Sequence, residues 1–415
     1  MGLHFLMLYH CLGVWFGKLS GVSIEKMLMG ACLCAAGLLF FAGFLFEIRE
    51  RTLLRFSPII RILFAFIILW GLFIIVRSLN MNFHDLRTMF GNRTGAWGWL
   101  IPIVMIVGAR RSNWRLLTEA FALHITIGVF LGILFLVLFR AKATNFASWD
   151  AGMFYATSFF LLTWSYHTKT LKALSLLGFT LFFIGNLVIA SRTNVAGCLC
   201  YIICFMVIYV SLYRQNRTRS TVHPFVLVLV GIIVIIIAYP ALSSLQRFRT
   251  IQDRFERKLF DDTRSHIADD LFASQVGWER LIGKGALGTT WSSYFYSYRY
   301  EKGGDSPERL NIEPGYLQII FKGGYVMLVL FLALTVPAGI LGVFCSKNLL
   351  ARACGLIILV NLGGMVVSWP PLIRPPYVLF WLSVGACLCK RIRMATDVEL
   401  LGEEEFNEQI EYEAT

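Results

Sequence analysis

The stretch YLQIIFKGGYVMLVLFLALTVPAGILGVF, residues 316–344, decides the class of fold. Lys322 is its one charged side chain, and the stretch is long enough to cross a hydrocarbon core of about 30 Å as a helix. Comparable apolar runs recur along the 415 residues, and they are continuous, without strict alternation. Because a backbone in lipid must satisfy its own hydrogen bonds, continuous runs predict transmembrane helices and exclude barrel strands.

The composition agrees with an all-α polytopic membrane protein. Hydrophobic residues make up 57% and charged residues 15% of the chain, and the mean hydropathy is +0.67. Soluble domains are about 45–50% apolar. The net charge of +13 lies mostly in short connectors, which argues against a nucleic-acid partner. The ten cysteines fall in or beside apolar segments, so we expect helix packing, with no disulfide framework, metal or cofactor.

We predict about twelve transmembrane helices and one large external loop. Residues 1–242 would hold nine helices, 243–315 the loop, 316–393 three more helices and 394–415 an acidic cytoplasmic tail. The predicted spans are 3–18, 27–47, 58–77, 95–110, 116–139, 150–166, 171–190, 193–213, 222–242, 316–344, 350–368 and 373–389. With the N-terminus inside, the cytoplasmic connectors carry 17 Lys and Arg, against nine in the short external connectors. This bias places the loop outside.

The loop Ser243–Gly315 is the one extended polar segment, with 11 basic and 11 acidic residues, so we expect it to take part in chemistry or recognition. Arg264 lies within the loop, close to Asp261 and Asp262. We expect it either to bind a phosphate or to form a salt bridge within the loop. Arg192 stands in a polar break, Ala190-Ser-Arg-Thr-Asn194, where a guanidinium could meet a phosphate or simply end a helix at the interface.

The segment Gly283-Lys-Gly-Ala-Leu-Gly288 has the spacing of a dinucleotide fingerprint, but no βαβ unit precedes it. We expect a tight turn whose amides approach a substrate, with Lys284 beside it. Glu313 is predicted at the external membrane surface, where partial desolvation would suit a proton acceptor; the alternative is a helix N-terminal acid. Tyr316 and Lys322 are further predicted substrate contacts.

Together these features resemble the O-antigen polymerase and ligase family, membrane glycosyltransferases with a GT-C-type architecture. The similarity rests on the Ser191-Arg192-Thr193 break, on Arg264 followed 19 residues later by Gly283-Lys-Gly285, and on an aromatic-Leu-Gln stretch entering a Gly-Gly helix. It covers residues 180–345, and the first half only by hydropathy.

The resemblance implies a location in the bacterial inner membrane, with the active site facing the periplasm. The donor would be a glycan linked to undecaprenyl pyrophosphate, held at its pyrophosphate by Arg192 and Arg264. A hydroxyl of the next lipid-linked unit would attack while Glu313 accepts its proton. Membrane lipid is a partner, and a chain-length regulator protein is a further candidate.

Three other functions remain open. Ligases of this family carry a His-Asn pair where this chain has Glu313-Pro314, which weakens transfer to lipid A core as the reaction. A flippase or other exporter would place ionisable residues along a mid-membrane path. A shape-determining peptidoglycan glycosyltransferase fits the loop and the helix number less well.

Overall fold

The computed structural model describes residues 2, 4, 23–79, 82–91, 94–139, 154–189, 192–215, 263–292, 308–368 and 372–401. The helices in this part of the chain are α1 (Ser23–Arg49), α2 (Pro58–Val76), α3 (Phe83–Gly91), α4 (Ala96–Leu100), α5 (Val104–Gly108), α6 (Arg111–Phe139), α7 (154–162), α8 (Lys169–Ile189), α9 (Arg192–Gln215), α10 (Thr263–Ser274), α11 (Trp278–Ile282), α12 (Gly315–Phe344), α13 (Leu349–Val367), α14 (Pro375–Leu388), α15 (Lys390–Met394) and α16 (Asp397–Leu401). Short 3₁₀ turns lie at Thr52–Arg55, Ile101–Ile103 and Trp164–Tyr166. Two antiparallel strands, β1 (Thr290–Trp291) and β2 (Glu308–Arg309), pair Thr290 with Arg309.

The helical membrane class predicted from the apolar runs is confirmed at this coarse level. Among the described residues, four helices are long and apolar enough to cross a membrane: Gly30–Arg49, Pro58–Val76, Gly315–Phe344 and Leu349–Val367. Local sequence explains where two of them begin. Ser57 caps α2 ahead of Pro58, and the Asn348 side chain accepts a hydrogen bond of 2.8 Å from the Ala351 amide at the start of α13.

The predicted number of twelve spans is not confirmed. The spans 3–18 and 222–242 lie outside the described residues, apart from His4 in the first. The span 95–110 is not one regular helix, because α4 and α5 are joined by the 3₁₀ turn that contains Pro102. Proline has no backbone N–H to donate, so it interrupts the helical hydrogen bonds.

Helix α14 lies at the centre of the bundle, between α5, α12 and α13. Its residues from Val378 to Leu388 are all buried, as expected for a helix that is apolar on every side. Its backbone approaches α5 closely: a Cβ on Gly385 would stand 1.8 Å from the Met105 carbonyl oxygen, and one on Gly108 would stand 2.0 Å from that of Leu382. Small residues at such a crossing are typical of helices packed within a membrane.

Outward-facing apolar side chains cover the peripheral helices. Ile59 and Leu69 on α2 are 71% and 61% exposed, and Val329 on α12 is 64% exposed. Apolar surface of this kind on several helices is unusual for a soluble protein and is the expected boundary with lipid.

One end of the bundle gathers the connectors that the charge count assigns to the cytoplasm. The Lys347 amide donates to the Arg393 carbonyl at 2.8 Å, and the Arg111 side chain donates to the Leu400 carbonyl at 2.9 Å. Tyr166, which follows α7, donates to the Asp397 carboxylate. These bonds join connectors far apart in sequence, so α6, α13 and α16 begin, and α7 ends, at this arginine-rich end.

Candidate functional site

Helix α12 is interrupted at Gly324, where the backbone adopts φ 71° and ψ −176°. Essentially only glycine adopts this conformation. The carbonyl groups just before the break accept hydrogen bonds from outside the helix, which compensates for the interrupted ladder. The donors are Gln275 Nε2 to Ile320 at 3.3 Å, the Lys284 amide to Phe321 at 2.8 Å, the Gly285 amide to Lys322 at 2.9 Å and Trp70 Nε1 to Gly323 at 2.8 Å.

The turn Gly283–Gly288, which we call the glycine turn, is built against this break. Gly283 has φ 71° and ψ −174°, and a Cβ there would stand 2.3 Å from the Lys322 carbonyl oxygen. A Cβ on Gly324 would in turn stand 2.0 Å from the Leu281 carbonyl oxygen. Gly283 in the turn and Gly324 in the helix therefore allow the two backbones to approach each other closely, each beside the other's chain.

The amides of the glycine turn are bonded within the protein, which corrects the expectation that they approach a substrate. Besides the amides of Lys284 and Gly285, the Ala286 amide donates to the Ile74 carbonyl at 3.1 Å, and the Leu287 amide donates to Ser78 Oγ at 3.2 Å. Arg77 at the end of α2 also donates to the Gly283 carbonyl at 2.5 Å. The turn is a structural joint between α2 and α12.

Lys322 is fully buried in this joint, so its position does not present the ammonium group to a substrate. The Nζ atom donates to the Ala286 carbonyl at 2.9 Å and to the Gly288 carbonyl at 2.6 Å. It also lies 4.5 Å from the centre of the Phe321 ring, which adds a cation–π contact. Buried ammonium groups require such partners, and here they hold the glycine turn to the helix.

The other predicted substrate contacts, Lys284 and Tyr316, have partners within the protein. Lys284 Nζ lies 4.0 Å from a Glu279 carboxylate oxygen, and its side chain is 19% exposed. The Tyr316 hydroxyl donates to the Leu362 carbonyl at 2.8 Å and so joins α12 to α13. Both therefore have structural partners that local sequence did not indicate.

Glu313 lies at the entrance to α12, on the surface of the protein. Its side chain is 62% exposed, and a carboxylate oxygen lies 3.5 Å from Arg309. Two residues later, the Gly315 amide donates to the Ser368 carbonyl at 3.2 Å. Because Ser368 lines the cavity described next, this bond places the Glu313 segment at the rim of that cavity.

Arg192 and Arg264 are placed by their helices only. Arg192 is the first residue of α9, and Arg264 is the second residue of α10. Their side chains lie outside the described part of the molecule. The residues that follow Arg192, Thr193 and Asn194, line a cavity, and this is the one described link between a predicted phosphate ligand and an open space.

The cavity has a volume of about 330 Å³ and lies within the bundle, at the end away from the arginine-rich connectors. It is enclosed by α7, α8, α9, α13 and the start of α14. Its lining is Phe154, Tyr155, Phe182, Thr193, Asn194, Tyr201, Ile357, Asn361, Met365, Ser368, Leu372, Arg374, Pro376, Tyr377, Leu379 and Phe380. Asn194 donates to Asn186 at 2.7 Å, and Asn361 donates to the Tyr201 hydroxyl at 3.4 Å.

The lining combines one cation, several amide and hydroxyl groups, and aromatic rings. Arg374 caps the start of α14 and is half-buried at the cavity. Tyr377 and Phe380 follow it as a stacked pair with ring centres 5.6 Å apart. A guanidinium suits a phosphate, while amides, hydroxyls and aromatic faces suit a sugar. Among the described residues, no group of three His, Cys, Asp or Glu side chains is placed to hold a metal ion.

In the sequence, Arg374 is one of the nine basic residues of the predicted external connectors, and neither it nor Asn361 nor Tyr377 is a predicted site residue, although all three line the cavity. The available signal was Arg374-Pro375-Pro376, a cation fixed at the start of an apolar span by two prolines. Asn361 had no comparable signal, because a single amide in an apolar helix is also a common packing residue.

No family model, curated protein or solved structure matches this chain.

Proposed function

We propose that this chain is a membrane glycosyltransferase that polymerises oligosaccharide repeat units linked to undecaprenyl pyrophosphate, at the periplasmic face of the bacterial inner membrane. The observation that carries the proposal is the 330 Å³ cavity lined by Arg374 and by the two residues after Arg192. Its volume suits a pyrophosphate with the adjoining sugar, and the rest of the glycan and the lipid would extend beyond it.

The reaction would be a displacement at the anomeric carbon. A hydroxyl of the acceptor repeat unit forms the new C–O bond as the bond between the donor sugar and pyrophosphate breaks, and Glu313 takes the hydroxyl proton. Undecaprenyl pyrophosphate leaves with the electron pair. Guanidinium groups at this oxygen stabilise the developing charge, and we assign that role to Arg192, Arg264 and, newly, Arg374.

The cavity's place in the bundle supports the proposed orientation. It lies at the end opposite the arginine-rich connectors, and positive connectors favour the cytoplasm. The Glu313 segment meets the rim through the bond between Gly315 and Ser368. The predicted proton acceptor is therefore two residues from a backbone contact with the rim of the cavity, and its carboxylate is paired with Arg309.

The test is a deletion strain complemented with wild type, Arg192→Ala, Arg264→Ala, Arg374→Gln or Glu313→Gln, with protein levels matched by immunoblot. Loss of one preorganised cation should lower the polymerisation rate about 10²–10³-fold, because the leaving charge loses one of its partners. Lipopolysaccharide gels should then show single repeat units on the core in place of the ladder. Arg115→Gln, an exposed arginine outside the cavity, is the control that should keep the ladder.

Two results would contradict the proposal. Bare core with accumulated lipid-linked polymer would indicate a ligase. An unchanged ladder in all three arginine variants would show that this cavity is not the site of the reaction.

A further inference from the structure

A second cavity, of about 690 Å³, lies at the arginine-rich end of the bundle and has no role in the proposed reaction. It is bounded by the connector between α1 and α2, the turn between α5 and α6, and the chain from α15 to α16. We call it the basic cavity. Its lining is Arg55, Ala109, Arg110, Arg111, Ser112, Arg391, Ile392, Met394, Ala395, Glu399 and Leu400.

Four guanidinium groups face one carboxylate in this lining. Arg110 is partly neutralised by Glu47 at 3.7 Å and Glu50 at 3.9 Å, which lie behind it on the end of α1. Arg111 uses Nε for the Leu400 carbonyl. Hydrogen bonds from Thr396 hold the pKa of Glu399 below its usual value, so this acid is charged at neutral pH. The balance still leaves the basic cavity positive.

Arg55 and Arg391 supply the remaining charge. Within the described ranges, neither side chain has a hydrogen-bond or ion-pair partner. They come from opposite ends of the sequence, one before α2 and one in α15, and both line the same space. Two arginines that converge on a cavity of this size form a site for a multivalent anion, because the guanidinium fork matches the oxygens of a phosphate.

The position of the basic cavity favours a membrane lipid as the source of that phosphate. Leu54, beside Arg55, is 60% exposed, and Ile59 in the first turn of α2 is 71% exposed. Met394 in the lining is itself 40% exposed and apolar. A phosphate in the cavity is therefore adjacent to outward apolar surface, along which acyl chains would pack. Basic pockets at the ends of transmembrane helices bind anionic headgroups for this reason.

We propose that the basic cavity binds the phosphate of an anionic phospholipid headgroup, with Arg55 and Arg391 as its main ligands. This inference is independent of the glycosyltransferase proposal, because it uses the opposite end of the bundle and none of the same residues. The bound lipid would connect the α1–α2 connector, the α5–α6 turn and α15, and would stabilise the bundle by mass action.

The experiment uses the purified full-length chain in neutral detergent and follows its thermal unfolding during titration with phosphatidylglycerol. Phosphatidylcholine is the zwitterionic control, and sodium phosphate tests a soluble source. We expect phosphatidylglycerol to raise the midpoint temperature and the other two to leave it nearly unchanged. In Arg55→Gln/Arg391→Gln the apparent affinity should fall about tenfold or more, since each arginine near an anionic surface contributes about 1 kcal/mol.

The matched control is Arg49→Gln/Arg115→Gln, which removes the same charge from exposed positions outside the cavity and should keep the wild-type response. An equal loss in both double variants would overturn the site, because general surface charge would explain the binding. Protection by sodium phosphate at the same concentrations would overturn the lipid as the source. If the double variant fails to fold, the single variants Arg55→Gln and Arg391→Gln give the same comparison.

Discussion

At the scale of single residues, Gly324 controls the shape of α12, the longest helix that the structure describes. Its backbone conformation is one that other residues adopt only at a cost of about 1–3 kcal/mol, and a side chain would also collide with the Leu281 carbonyl. Without the break, the carbonyl groups of Phe321 and Lys322 would be bonded within α12 and would not accept from the amides of Lys284 and Gly285. The glycine is therefore a requirement of the fold at this position.

We predict that Gly324→Ala lowers the free energy of unfolding by about 1–3 kcal/mol through backbone strain alone. The clash of the new methyl group with the Leu281 carbonyl lowers it further. The measurement is thermal unfolding of the purified protein in detergent. Gly363→Ala in α13 is the control, since a Cβ there meets nothing within 4 Å and alanine favours a helix. Equal stability of Gly324→Ala and wild type would show that the break does not depend on this glycine.

Four charged residues, Arg192, Arg264, Glu313 and Arg374, carry the proposed reaction. Arg374 was visible in the sequence as a charge, and its assignment to a site came from the residues that surround it. Arg192 and Arg264 keep the roles that the family resemblance implies, as parts of the proposal. Glu313 keeps its proposed role as base, and its carboxylate lies 3.5 Å from Arg309.

At the scale of elements, the joint between the glycine turn and α12 is held by bonds in both directions. Turn amides donate to helix carbonyls, and the helix ammonium of Lys322 donates to the turn carbonyls of Ala286 and Gly288. The reciprocal arrangement satisfies groups on both elements. It fixes the described part of the predicted external loop to the bundle, and it leaves few polar groups of the turn for a ligand.

We predict that Lys322→Met destabilises this joint, because it leaves two carbonyl groups without their donor at a cost of about 1–3 kcal/mol each when buried. Limited proteolysis should then cut residues 283–292 faster than in wild type. Lys284→Met is the matched control, since its distance of 4.0 Å from the half-exposed Glu279 makes a weak pair. Equal cleavage of both variants would show that Lys322 does not hold the turn.

At the scale of the whole molecule, the ends of the bundle separate two kinds of chemistry. One end holds the basic cavity and the connectors rich in arginine. The other end holds the smaller cavity, which is lined by amides, hydroxyls and aromatic rings. This separation is what the two proposals require, with the proposed reaction at one face of the membrane and the proposed lipid site at the other. The orientation itself follows from the proposed positive-inside bias.

We predict that a cysteine introduced at Glu279 reacts with a membrane-impermeant maleimide in intact cells, and that one at Arg115 reacts only after permeabilisation. Both positions are exposed, with side chains 41% and 73% accessible, so access should depend on the side of the membrane. Wild type gives the background from the ten native cysteines. The reverse labelling pattern would invert the proposed topology.

The sequence by itself determined the helical membrane class, because a long apolar run in lipid can satisfy its backbone only as a helix. It also placed several helices within a residue or two, as in 58–77 for Pro58–Val76 and 350–368 for Leu349–Val367. Those boundaries depend on local signals such as Ser57, Pro58 and Asn348.

Only the tertiary structure decided what the polar residues do. Trp70 and Gly323 are 253 residues apart and share a hydrogen bond, and Lys322 meets a turn 34 to 36 residues earlier. A local pattern shows that a buried polar group needs a partner, but it does not say which distant backbone supplies one. For that reason Lys322 and the glycine turn were predicted to contact a substrate, whereas in the structure they bind each other. Arg374, first counted only for its charge, lines the cavity.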